Sequence, residues 1–245
     1  METGKIIFAR LKEQFAAMAD EHGLTREHLR ITARGLSSQE AIGNPEETDY
    51  PILKGKEKMM EAVFRGAKGQ AFTDMCREWS GSIGDVLRLD LRNNFQRAVF
   101  VASLNAVTRS LGLTERTVHC RDDSPERCGT EFLQMLHDER PEAQILLVGH
   151  QPRILQRLSS YFHMSVVDMD KDNIGKTFFG VTVQDPEETE RLIDHADLLL
   201  VTGTTLVNGT IADFLNREKP VIFYGITISA AAKILGLRRF CPFGL

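Results

Sequence analysis

No stretch of this chain reaches the roughly 18 consecutive apolar residues that a membrane-spanning helix needs. The opening segment, Met1 to Asp20, sets Ile6, Ile7, Phe8, Leu11, Phe15 and Met18 among charges. That pattern reads as an amphipathic helix and lacks the unbroken apolar core and small-residue cleavage site of an export signal. Cysteine is scarce: Cys76, Cys120, Cys128 and Cys241 are scattered, and no two form a C-x-x-C pair. Without an export signal, reduced thiols and a cytoplasmic location are expected, and the sequon Asn208-Gly209-Thr210 carries no meaning. An excess of positive charge is also missing, the formal net charge being −4, so there is no electrostatic footprint for nucleic acid and none for a membrane surface. Internal repeats and low-complexity runs are absent. So are the P-loop, the nucleophile elbow, the H-E-x-x-H helix and the protein-kinase set.

The composition, 42% hydrophobic and 26% charged, is that of a folded globular chain able to bury a core without disulfides. Its character changes near residue 92. Before it, strand-like runs at Leu29–Ala33, Met59–Phe64 and Ala67–Thr73 lie among turns at Gly35-Leu36-Ser37-Ser38, Gly43-Asn44-Pro45, Gly66 and Gly69. Residues 1–92 are therefore expected to form a small α+β domain. Within it, Gln70–Thr73 and Trp79-Ser80-Gly81 read as a strand and a turn, the alternative being that they bring a threonine and an aromatic to the cleft.

From residue 93 to 245 helix and strand alternate. Phe95, Ala98, Val99, Ala102, Leu104, Val107 and Leu111 recur at helical spacing, closed by Gly112. An apolar pulse, Thr117–Cys120, follows, and then a helix opened by Ser124-Pro125-Glu126, with serine as N-cap and proline in the first turn. Strands are expected at Ile145–Val148, Ser165–Asp168, Leu198–Val201 and Val221–Tyr224. Helices are expected at about Arg153–Phe162, after the Asp185-Pro186 cap, at Ile211–Asn216 and at about Ser229–Leu235. Four-residue runs that are apolar on both faces indicate a parallel sheet covered on both sides. The fold class is α/β, a doubly wound, mostly parallel, Rossmann-like sheet with a smaller N-terminal α+β domain.

In such a sheet, ligands bind along the carboxyl ends of the strands. There the sequence places Cys120-Arg121-Asp122-Asp123, Gly149-His150-Gln151-Pro152-Arg153, Asp168-Met169-Asp170, Thr202-Gly203-Thr204-Thr205 with Asn208, and Gly225-Ile226-Thr227. In Thr202–Thr210, the glycine is expected to let the backbone turn sharply toward a ligand. The hydroxyls and free N–H groups there suit an anion or carboxylate. Capping of the following helix is the plainer explanation. The Gly149 turn lies where a dinucleotide loop would, with Asp168 at the end of the next strand, but the G-x-G-x-x-G glycines are missing. His119, Cys120, Cys128, His150, Asp168 and Asp170 are an alternative set of soft and hard ligands for a transition metal, although no spacing matches a structural zinc motif. Asn105 interrupts an apolar run, either toward solvent or as a bond at the interface of the two halves.

Thr202-Gly203-Thr204-Thr205-Leu206-Val207-Asn208-Gly209-Thr210-Ile211, after Ala196 and Asp197, resembles the signature of a prokaryotic family of unknown function labelled as a heavy-metal chelation domain. The helix carrying Ala102 and Leu104-Asn105-Ala106 resembles that family's asparagine-alanine helix, and the likeness extends from about Gln70 to the end. It implies a domain like the amino-terminal domain of enolase (1–92), a Rossmann-like domain (93–245) and a site in the cleft between them. By position it carries over the threonine-glycine-asparagine turn and Asn105.

Ligand-binding candidates are thus Asn105, Asp168, Asp170, Thr202, Gly203, Thr204, Thr205, Asn208 and Gly225. His150 is the candidate acid or base, because imidazole titrates near neutrality. Cys120 and His150 are the metal candidates, and the cofactor class is a transition metal or a metal chelate. The leading function is binding of a small molecule or metal chelate, with or without catalysis. An enzyme acting on a nucleotide-like heterocycle without metal, and a non-catalytic scaffold, are the alternatives. A homodimer is the base-rate expectation for assembly.

Overall fold

The computed structural model describes residues 2–24, 31–55, 57–215 and 217–245. Leu29 and Arg30 of the first expected strand, and Asn216 of an expected helix, lie outside the described residues. The first part of the chain comprises α1 (Glu2–Glu21), β1 (Ile31–Leu36), α2 (Ser38–Ile42), β2 (Lys58–Phe64), β3 (Ala67–Thr73), β4 (Trp79–Gly81), α3 (Ile83–Leu87) and α4 (Asn94–Ser110). The second part begins with α5 (Ser124–Glu139), β5 (Gln144–Val148), α6 (Pro152–Leu158), β6 (His163–Val167), β7 (Thr177–Phe178) and β8 (Val181–Gln184). It ends with α7 (Thr189–His195), β9 (Leu198–Thr202), α8 (Thr204–Asn208), β10 (Val221–Tyr224), α9 (Ser229–Leu235) and β11 (Arg239–Phe240). No helix among the described residues is long and apolar enough to cross a membrane.

The smaller sheet is antiparallel, ordered β3-β2-β1-β4. The larger is ordered β11-β10-β9-β5-β6-β8-β7, with every neighbouring pair parallel except the β7–β8 hairpin. Alternation along its strands sends side chains to opposite faces. Leu146, Val148, Leu199, Val201 and Phe223 enter the core shared with α1, α4, α8 and α9. Ile145, Leu147, Leu198, Leu200, Ile222 and Tyr224 enter the core beneath α5 and α6. Both faces are covered, which is why these strands have no polar face.

Helix α4 packs against β2 and β3 of the smaller sheet as well as against α8 and α9. Gly69 makes the first of these contacts possible. A Cβ at that position would lie 2.2 Å from the Ala106 nitrogen and 2.4 Å from the Ala102 oxygen. The helix backbone thus rests directly on the strand backbone, and one continuous core spans the two sheets. Helix α1 joins that core through Ile7, Phe8, Leu11, Phe15 and Ala19, the helical spacing of a single apolar stripe.

Several expectations are corrected. Thr117–Cys120 is not a strand of the larger sheet; the Thr117 carbonyl accepts from Gln70 N–H, and Val118 exchanges backbone bonds with Leu245. The N-cap of α5 is Asp123, with Ser124 already helical and no side-chain cap bond. Helix α6 stops at Leu158, and Ile211–Phe214 is a short 3-10 turn. The hairpin β7–β8 and the edge strand β11 were not anticipated. The hairpin turns through Phe179 and Gly180, both at positive φ, the conformation that two-residue hairpin loops require.

Candidate functional site

The carboxyl ends of β5, β6, β9 and β10 open into a cavity of about 790 Å³. The opposite wall comes from the segment Ile42–Ile52, the end of β3 and Glu57. Asp168, Asp170, Thr202, Gly203, Thr204, Thr205, Asn208, Gly225, Cys120 and His150 all line this one space. Asn105 does not; it is buried behind the wall. Its Nδ2 donates to the carbonyls of Gln70 (2.9 Å), Ile226 (3.2 Å) and Thr227 (3.3 Å), while its Oδ1 accepts from Ala230 N–H at 2.9 Å. Those partners use the whole amide, so its work is to fasten α4 to β3 and to the turn before α9.

The turn after β6 is organised by Asp168. Its Oδ2 accepts from the His150 backbone N–H at 2.5 Å and its Oδ1 from the Asp170 N–H at 2.7 Å. The carboxylate thereby ties the β6 turn to the β5 turn next to it. The His150 ring is nine-tenths buried and lies 4.4 Å from the Phe178 ring, centroid to centroid. Its Nε2 is buried without a hydrogen-bond partner. Burial lowers its pKa, opposed by Asp168 and Asp49 and reinforced by Lys54 and Arg153. The imidazole is therefore neutral at pH 7, with one ring nitrogen left over for a ligand.

The threonine turn divides its groups between its own backbone and the cavity. Thr205 Oγ1 donates to the Thr202 carbonyl at 2.7 Å, and Thr202 Oγ1 accepts from Thr204 N–H at 3.3 Å while donating to Thr204 Oγ1 at 3.2 Å. These bonds hold the turn itself rather than cap the helix: the N-cap of α8 is Gly203, and no side chain caps it. Gly203 has an ordinary helical φ of −60°, so it is not needed for a sharp turn. It is needed because a Cβ would come within 2.8 Å of the Ile228 nitrogen. Asn208 reaches from this side toward Met169, its Nδ2 3.6 Å from Sδ.

Two features escaped the sequence. The first is Glu57, which lies in the run Lys54-Gly55-Lys56-Glu57-Lys58 and reads there as a solvated charge. It lines the cavity, and burial followed by the Asp168 and Asp170 carboxylates pushes its carboxyl up to about 7. Tyr224, facing the same charges from the end of β10, is held well above its ordinary pKa chiefly by burial. The only cue was a tyrosine at the last position of an apolar strand. The second is Cys241, which joins Cys120 and Cys128, already among the metal-ligand candidates, as a thiol group at one part of the wall. Cys120, Cys128 and Cys241 all line the cavity and lie within electrostatic reach of one another. Burial pushes the Cys120 thiol up to about 12 and raises that of Cys128. His119, beside them, is lowered to about 4 by burial and packs edge-on against Phe72.

Among the described residues the charged side chains lining this space are acidic, although Glu190 is paired with Arg217 and His150 lies within reach of Lys54 and Arg153. Besides Glu57, Asp168 and Asp170, the wall carries Asp74, Glu187, Glu190 and Asp213, and among the described residues no lysine or arginine lines it. Tyr50, Ile52, Phe72, Met169 and Phe214 supply apolar surface. A cleft with low-dielectric walls and charge of one sign focuses its field on the opposite sign. The anion or carboxylate expected at the threonine turn does not match that field.

A heavy metal is a natural occupant to test against this wall. Among the described residues no three His, Cys, Asp or Glu side chains stand together as a metal-holding group. A resident ion needs about three or four protein donors at bonding distance, and the arrangement does not fit a bare ion.

No curated protein matches the chain. A solved structure of a protein of unknown function from Pyrococcus horikoshii is similar to it at 17% identity, covering 90% of this chain and 79% of that one, with a TM-score of 0.54. Another, from Desulfitobacterium hafniense, is similar at 12% identity over 73% of this chain and 72% of that one, with a TM-score of 0.53. Both are assigned to the DUF364 family, and at these identities they support the fold alone. The model of that family matches residues 131–240 here, a stretch running from α5 to β11 and containing the Asp168 and Thr202 turns. The matched stretch, less than half of the chain, is thus similar to the family described as "Putative heavy-metal chelation", the family that the threonine turn resembles.

Proposed function

We propose that this chain binds a positively charged small molecule, an organic cation or a chelated metal, in the cleft between its two sheets. The observation that carries the reading is the acidic wall: Glu57, Asp168 and Asp170 face one another across a space with no lysine or arginine among its described lining residues. Burial and then the neighbouring Asp168 and Asp170 carboxylates raise the proton affinity of Glu57, and a bound cation relieves that repulsion. The family description names a metal, and a chelate would reconcile it with the side chains, because a chelate brings its own donors. A nucleotide-like ligand is disfavoured, since its phosphates would meet carboxylates.

A thermal-shift survey of the full chain tests this reading. Cationic small molecules and the nickel–histidine chelate should raise the melting temperature, whereas nucleotides should not. The double variant Glu57→Gln/Asp168→Asn should lose the response. Equal responses in wild type and variant would place binding outside the cleft and defeat the proposal.

A further inference from the structure

The family description speaks of a metal, yet the side chains do not gather as ligands for one. Four observations bear on what the cleft accepts instead. The acidic residues at its centre come from different parts of the chain: Glu57 precedes β2, and Asp168 and Asp170 follow β6. Beside them lies the neutral His150 ring, nine-tenths buried, with an unpartnered Nε2. Such an orphan costs free energy unless a ligand satisfies it. The cavity, about 790 Å³, has the volume of an organic-ligand site rather than an ion site. Its flanks at Tyr50, Ile52, Phe72 and Phe214 offer apolar contact that a hydrated ion does not use.

We infer that the centre of the cleft is built for an organic cation of the amine or guanidine class, seated between Glu57 and Asp168 with His150 Nε2 as its neutral hydrogen-bond partner. This rests on the cleft being a ligand site, and it goes further by excluding a metal as the recognised charge. The N–H donors of such a cation match an array of carboxylate acceptors and spread along apolar walls. The groups facing Glu57 are Asp168, Asp170 and Tyr224. None of these is cationic, so an incoming cation supplies the missing counter-charge and favours the ionised Glu57. Binding near neutrality therefore expels a proton from Glu57 to the buffer.

Isothermal titration of the full chain with agmatine and spermidine at pH 7, in phosphate and in Tris, reads both affinity and proton release. The expected result is saturable binding whose heat differs between the buffers in the sense of proton release. Glu57→Gln should remove the buffer dependence and weaken binding at pH 8 by about tenfold, the usual size of a lost charge-assisted bond. His150→Phe, which keeps the ring against Phe178, should weaken binding without touching the proton release. Nickel and zinc chlorides and the nickel–histidine chelate are titrated in parallel. If the chelate or the ions bind in a Glu57- and Asp168-dependent way and the organic cations do not, this inference falls while the cleft remains a ligand site. If none of the probes binds, both readings fall. Organic-cation binding that is unchanged in Glu57→Gln and in Asp168→Asn, with both variants melting cooperatively, also overturns it.

Discussion

The side-chain amide of Asn105, in the middle of α4, donates to the main-chain carbonyl of Gln70 in β3 at 2.9 Å. The same side chain accepts from Ala230 at the start of α9. One residue thus locks the smaller sheet to the larger half, just below the cleft. Asn105→Ala strands the Ala230 N–H and the Gln70 carbonyl in the core, and each buried orphan costs about 1–3 kcal/mol. A loss of about 3 kcal/mol in urea denaturation is expected. A loss under about 0.5 kcal/mol, the ordinary range of an inconsequential substitution, would remove this tie from the account.

Gly69→Ala probes the same junction sterically. Its methyl would meet backbone atoms of α4 at 2.2 and 2.4 Å, and backbone cannot rotate away as a side chain can. Overpacking of this kind costs about 1–3 kcal/mol, and the upper end is expected. Circular dichroism during thermal denaturation measures it.

Much of this framework is legible in the sequence, for reasons that also explain the failures. Ile145–Val148, Leu198–Val201 and Val221–Tyr224 stand out because both faces of each strand are buried. The β7–β8 hairpin does not, because its strands span only two and four residues and its turn is Phe179-Gly180 rather than an asparagine-glycine pair. Thr117–Cys120 has strand-like composition, but its backbone bonds are taken by Gln70 and the tail at Leu245. The polar turns after β5, β6, β9 and β10 followed from topology, since parallel strands deliver their ends to one rim. Glu57 had no such cue. It arrives from the other side of the cleft, and tertiary packing alone reveals it.

Glu57 also predicts a pH signature. Its carboxyl is pushed up to about 7 in the folded chain, against 4.5 as the ordinary value. The native state therefore holds an extra proton between those values, and the group lowers stability as pH rises through that interval. Glu57→Gln should melt higher than wild type at pH 8 and no higher at pH 4.5. His119 acts differently. Lowered to about 4 from 6.5 by burial, it contributes stability that is complete above 6.5 and lost as pH falls toward 4. His119→Gln should flatten the acid limb of the melting profile, and an unchanged limb would contradict the assignment.

Arg153, almost fully buried, forms ion pairs with Asp49 at 2.5 Å and with Glu47 at 3.6 Å. These residues belong to the segment that walls the cleft opposite the strand ends. Arg153→Ala is expected to loosen it, because the half-exposed Asp49 and Glu47 carboxylates then lose the buried cation that ties them to α6. Limited trypsin digestion should then cut after Lys54 at least several times faster than in wild type. Equal cutting rates would show that the segment is held by its apolar contacts instead.

The buried thiols give a chemical readout. With Cys120 pushed up to about 12 and Cys128 raised as well, neither carries much thiolate at neutral pH. Iodoacetamide at pH 7.5 should leave both largely unmodified in the folded chain and alkylate them quickly in urea. Mass mapping of the labelled peptides distinguishes the sites.

The Tyr224 hydroxyl donates to the carbonyls of Val148 and Gly149, at 3.0 and 2.9 Å, so β10 is cross-linked to the β5 turn over the top of the intervening strand. The cleft therefore has one stiff side and one side fastened mainly by an ion-pair clasp. Guests of different length must be accommodated by the clasped side, while discrimination among head groups falls to the braced one, where a displacement of a few tenths of an ångström would break those bonds.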